Sequence, residues 1–125
     1  MANTFKVTTI SSIATSAGAN TSTIYTCGAS NGAVVLSLLL ANKHTTSIKT
    51  SVQLVSTTDN SGNNNNINSD GSNDTAYIIK DVSIDEETSL EIMSGQKYVL
   101  QNGDSLKVFG GNANVDVVLS YMEMT

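Results

Sequence analysis

The sequence predicts an all-β fold: a β-sandwich or jelly roll of about eight or nine short antiparallel strands. Three observations point there. Apolar and polar residues alternate with a period of two in several short runs, the pattern of half-buried strands. Turn dipeptides such as Ser94-Gly95, Asn102-Gly103 and Gly110-Gly111 separate those runs. The polar residues are mostly Ser (17), Thr (15) and Asn (14) rather than charges, which make up only 14% of the chain. Thr favours strands, and Ser and Asn favour turns. At 125 residues the chain suits one domain, taken as 1–125.

Taken in order, Phe5–Ile13 and Ile24–Cys27 are the first strand candidates. The run from Gly32 to Ala41 reads as helix or strand. A helix would gather Val34, Val35, Leu38 and Leu39 on one face; a strand would place Val34, Leu36, Leu38 and Leu40 on one side and Val35, Leu39 and Ala41 on the other. Strand is preferred, because its neighbours are strands and helix-forming charged residues are missing. Ile48, Thr50, Val52 and Leu54 then alternate with Lys49, Ser51 and Gln53.

Asp59–Thr75 (DNSGNNNNINSDGSNDT) is too poor in apolar side chains to offset the cost of ordering it, and is expected as an exposed loop. Tyr77–Lys80, Val82–Ile84, Leu90–Ile92 and Tyr98–Leu100 are shorter strand candidates. Asn102-Gly103 joins Tyr98–Leu100 to Leu106–Val108 and is expected to close a tight hairpin, since both residue types tolerate positive φ. In the last strand Val115, Val117, Leu119 and Tyr121 face one way, with Asp116 and Ser120 opposite.

Two strands are apolar on both sides. A small sandwich normally leaves the outer face of each sheet wet. Val35 and Leu39, with Val118 and Met122 on the last strand, therefore need cover from a neighbouring subunit or from an arm of the same chain. A neighbouring subunit is the simpler cover, so these four are the candidate interface residues of a homo-oligomer or larger assembly.

Composition argues against several functions. With a net charge of −5, six lysines and no arginine, the chain lacks the basic patch that nucleic acids or anionic membranes require. The apolar run Val34–Ala41 is too short to span a bilayer. The N-terminal MANTFKVTTISSIATS has no continuous apolar stretch, so no secretory leader is expected. A single cysteine, Cys27, fits a protein folded in a reducing cytoplasm, and the sequons at Asn20 and Asn73 read as chance matches.

The chemical motifs are weak. Gly28-Ala-Ser30-Asn-Gly32 matches the hydrolase nucleophile elbow, yet the lone His44 follows Ser30 with no acid between them. Asn66, Asn68, Asp70 and Gly71 imitate the start of a calcium loop, but Tyr77 stands where its bidentate Glu belongs. Asp85, Glu86 and Glu87 with Glu91 form an acidic patch without aromatic sugar platforms, and read as a solvated face. His44 lacks partners for a zinc site, and Cys27 reads as a small buried hydrophobe. No catalytic, cofactor-binding or metal residue is assigned.

Several stretches carry a likeness: SLEI (89–92), GQKYVL (95–100), GDSLKV (103–108) and DVVLSY (116–121), with LLLANK (38–43) and TTSI (45–48) upstream. In combination they resemble small β-rich virion proteins of tailed bacteriophages of the marine and cyanobacterial type. The likeness runs from about Thr23 onward, with the Asn-rich loop departing from it. It implies a β-sandwich made in the host cytoplasm that oligomerises or sits on the particle, contacting capsid, neck or tail proteins. The expected function is a non-enzymatic virion structural protein, first a capsid decoration protein and second a neck or tail component. A carbohydrate- or receptor-binding module using the Asn-rich loop is the competing class, and a serine hydrolase at Ser30 a distant third.

Overall fold

The computed structural model describes residues 3–28, 32–56, 73–93 and 95–124. Among these residues nine strands form two antiparallel sheets, as the alternation predicts: β1 (Asn3–Ile10), β2 (Thr23–Thr26), β3 (Gly32–Asn42), β4 (Ile48–Val55), β5 (Ala76–Ile84), β6 (Ser89–Glu91), β7 (Tyr98–Leu100), β8 (Ser105–Gly110) and β9 (Val115–Met124). The first sheet runs β1-β9-β3-β6, with β7 beside the other end of β3. The second runs β2-β8-β4-β5. Among the described residues the only helical element is a 3-10 turn at Asn20–Ser22.

The core lies between the sheets. Leu38 and Leu40 of β3 and Val115, Val117 and Leu119 of β9 meet Val52 of β4 and Leu106 and Val108 of β8, all essentially fully buried. Each such Val or Leu contributes roughly 1.5–3 kcal/mol when removed from water. The expected inward sets of β4, β8 and β9 are the observed ones.

The ambiguous Gly32–Ala41 segment is strand, with a bulge that alternation alone does not reveal. Val35 pairs with Tyr121, but Ser37 pairs with Ser120, so Leu36 is an extra residue. The bulge shifts the phase by one. Ala33 and Val35 point inward before it, and Leu38, Leu40 and Asn42 after it. The backbone N–H of Leu38 just past the bulge donates to the Glu91 carboxylate at 2.9 Å, and so does that of Met93 at 3.1 Å. This acid, expected in a solvated patch, braces the backbone.

The two short candidates Tyr77–Lys80 and Val82–Ile84 are one strand, β5, bent where its register with β4 shifts. Asp81 sits at the bend with φ 52°, and its N–H donates to Ser51 Oγ at 3.0 Å.

The Asn102-Gly103 hairpin does not form. β7 belongs to the first sheet and β8 to the second, so the turn is a corner between sheets. A two-residue type I′ hairpin needs positive φ at both central residues; here only Gly103 has it, at 87°. The corner is clamped instead. Asp104 N–H donates to Gln101 O at 2.9 Å, the Asp104 carboxylate accepts from Gln101 N–H at 2.9 Å, and Cys27 bonds the backbone of Gly103 and Asp104.

Buried Asn42 closes the other end. Its amide donates to the carbonyls of Thr46, Ile84 and Asp85, tying the end of β3 to the end of β5 in the opposite sheet. The Asn-rich segment lies outside the described residues except for Asn73–Thr75, where Asn73 Nδ2 donates to Ser56 Oγ at 3.1 Å.

Candidate functional site

Facing residues of antiparallel strands share a side of the sheet, so the registers map the outer face of the first sheet directly. Val99 of β7 faces Val34 of β3, Val34 faces Met122 of β9, and Met122 faces Phe5 of β1. These four apolar residues form a continuous row across four strands. The next row is Ser37, Ser120 and Val7. The third is Glu91, Leu39, Val118 and Thr9.

Five large hydrophobic residues stand exposed among the described residues, and four of them lie on this face: Phe5 (72% exposed), Val99 (63%), Val7 (62%) and Val118 (37%). Leu39, Val34 and Met122 beside them are half-buried. Charges keep to the rim. Asp116, whose carboxyl is held below its usual range chiefly by the Lys43 ammonium, makes a 2.8 Å ion pair with that lysine. Glu91 is engaged with backbone amides.

Of the four candidate interface residues, the structure places Leu39, Val118 and Met122 together on this face. Val35 is a correction: it is 0% exposed, inside the core. The bulge at Leu36 puts Val35 in phase with Leu38 and Leu40 and turns Val34 outward. Sequence reasoning also missed Phe5, Val7 and Val99. Phe5, Val7 and Thr9 are an alternating set, but which strand would lie beside them is not written in the local pattern.

The outer face of the second sheet is different. Lys49, Gln53 and Lys107 alternate outward there, Lys80 Nζ lies 5.4 Å from the ring centroid of Tyr77, and Tyr77 packs edge-on against Phe109 at 6.4 Å. Its one large exposed hydrophobic residue, Tyr77, is thus partly covered by an aromatic and a cation.

A polar cluster bridges the two sheets where β1 and β2 lie at the edge. Glu123 of β9 accepts from Lys6 Nζ and from Tyr25 Oη, each at 2.6 Å. Hydrogen bonding to Lys6, then to Tyr25, holds the Glu123 carboxyl below its usual range. Burial, then the bond to Glu123, pushes the Tyr25 phenol far up. The Tyr25 ring also packs on Tyr121 with centroids 4.4 Å apart. In this arrangement Lys6 and Tyr25 share the two oxygens of one carboxylate.

The remaining motif residues are scattered. Ser30 and the calcium-loop imitation Asn66–Gly71 lie outside the described residues. His44 Nδ1 sits 3.2 Å from Asn114 Nδ2 at the end of β3. Cys27 is buried against Leu100, and burial above all raises its thiol pKa, so it is a weak nucleophile. Among the described residues no three His, Cys, Asp or Glu side chains are grouped to hold a metal, and no helix is long and apolar enough to cross a membrane. Compared with known protein families, curated proteins and solved structures, the chain finds no match in any of the three.

Proposed function

We propose that this chain is a non-enzymatic structural subunit of a tailed-bacteriophage virion, seated on the particle through the outer face of its first sheet. One observation carries the reading: the register-aligned row Val99, Val34, Met122 and Phe5, with Val7 and Val118 beside it, is apolar, uncharged and not covered by any described residue. Patches of this kind mark interaction surfaces. Its occupant within a particle is another virion protein. The likeness of segments 38–48 and 89–121 to small phage virion proteins supports the setting. Capsid decoration is the first reading and a neck or tail role the second.

The test is mass spectrometry of purified particles with absolute quantification. Decoration requires copies on the order of hundreds per particle, whereas a neck or tail ring holds about six or twelve. A chain absent from the particles would overturn the virion reading. A glycan-binding module would reveal itself instead by glycan-array binding that is lost on deleting residues 61–73.

A further inference from the structure

The strands that end the two sheets are not equally protected. β6 and β7, which share one edge of the first sheet, are three residues each. β2 is four residues long with a register break between Thr23 and Tyr25. β5 is long but irregular, with two register shifts against β4 and Lys80 and Asp81 at its bend. Shortness, bulges and charges are the devices that stop a sheet edge from pairing with another chain.

β1 is neither short nor bulged and carries a single charge. It runs eight residues and pairs with β9 without a register break from Asn3 to Ile10. It contains no Gly or Pro, and its one charge, Lys6, is neutralised by Glu123 at 2.6 Å. Among the described residues nothing pairs with its other side. That side presents a regular row of backbone N–H and C=O groups, which a second extended strand satisfies.

We propose that β1 pairs antiparallel, edge to edge, with β1 of a second copy, so that the first sheets of two subunits become one continuous sheet. Charge permits a second copy: −5 on each chain opposes self-association over most of the surface, but the β1 edge, where Lys6 is paired with Glu123, is locally neutral. Side-chain matching selects it. A two-fold axis at Val7 sets Phe5 opposite Thr9, Lys6 opposite Thr8 and Thr4 opposite Ile10. Apolar and β-branched residues then meet and the lysines stay apart; an axis at Lys6 would set like charges face to face. The same axis keeps Phe5 and Val7 on the same side in both copies, so the apolar row of one subunit continues into the next. This pairing stands on the strand edges alone and does not require the virion reading.

The test joins hydrodynamics to cross-linking of the full chain. Light scattering over roughly 1–200 µM is expected to show a concentration-dependent species of twice 13.1 kDa. Val7→Cys, oxidised without denaturant, is expected to give a disulfide-linked dimer with the native circular dichroism spectrum, since facing residues of antiparallel strands lie within disulfide reach. Val99→Cys, on the same face but on β7 at the far edge of the sheet, is expected to stay unlinked. Val7→Lys, which places two added charges at the axis, is expected to lower the dimer association constant at least about tenfold while the monomer stays folded. A chain that is monomeric throughout, equal cross-linking at Val99 and Val7, or a Val7→Lys variant that associates like the parent would overturn the proposal. A monomer that still coats particles removes the edge pairing alone; a dimer absent from particles removes the virion reading alone.

Discussion

On the outer side of the first sheet, Val99, Val34, Met122 and Phe5 stand in one row across four strands. On the outer side of the second, Lys49, Gln53 and Lys107 alternate outward, and Lys80 lies over Tyr77. Both sheets bury an apolar inner face in the same core, so the contrast lies in the outer faces alone. The second sheet is finished for water in the usual way, with charged heads carried on aliphatic stems. The first is finished as an inner face would be, with β-branched and aromatic side chains and charges only at the rim. A sandwich finished for water on one outer face and not on the other has a direction, and the proposed assembly sets the latter face against a partner.

The largest effect is expected for substitutions that confuse the inner and outer sides of β3. Val35→Asp places an unpaired charge in the core beside Tyr121, its partner on β9, and should unfold the chain. Val35→Ala should cost roughly 2–3 kcal/mol in urea denaturation. Val34→Asp, one residue away but on the outer side, should leave a folded monomer within about 1 kcal/mol of the parent. If both aspartate variants unfold alike, the bulge assignment is wrong.

Next comes acid stability. The Glu123 carboxyl titrates below its usual range in the folded chain because it accepts from Lys6 and Tyr25. The stability it contributes is therefore full above the ordinary Glu value of about 4.3 and is lost as pH falls through the lower folded value. Melting temperature should drop over that acid window, and Glu123→Gln should be less stable than the parent at neutral pH with a flatter acid limb. Asp116→Asn should change the acid limb less, because the ion pair it breaks with Lys43 is about four-tenths exposed on both sides.

The smallest stability changes are expected on the two outer faces, where they separate folding from assembly. Val118→Lys and Val99→Lys should move stability by no more than about 0.5 kcal/mol, yet abolish particle binding in co-sedimentation. Lys49→Ala on the second sheet should alter neither by more than that.

Much of this architecture is legible in the sequence. The inward sets of β4, β8 and β9 follow from period-two alternation, and the strand reading of Gly32–Ala41 follows from its neighbours. Two features are not legible, for the same reason. The bulge at Leu36 is fixed by what lies across from it on β9, and the Asn102-Gly103 corner by Cys27 and by β3 claiming β7. Both are pairing decisions made between distant segments. The candidate surface was half visible for that reason: Leu39, Val118 and Met122 lie on strands apolar on both sides, while Phe5, Val7 and Val99 join them only once the strand order brings β1, β9, β3 and β7 together.

Hydroxyl-radical footprinting of the free chain against the particle-bound chain puts the two outer faces in direct competition. Met122 and Phe5 report on the first sheet, and Tyr77 reports on the second. Assembly through the first sheet requires that labelling of Met122 and Phe5 fall sharply on the particle while Tyr77 is labelled as before. Protection of Tyr77 with Met122 and Phe5 unchanged would contradict it.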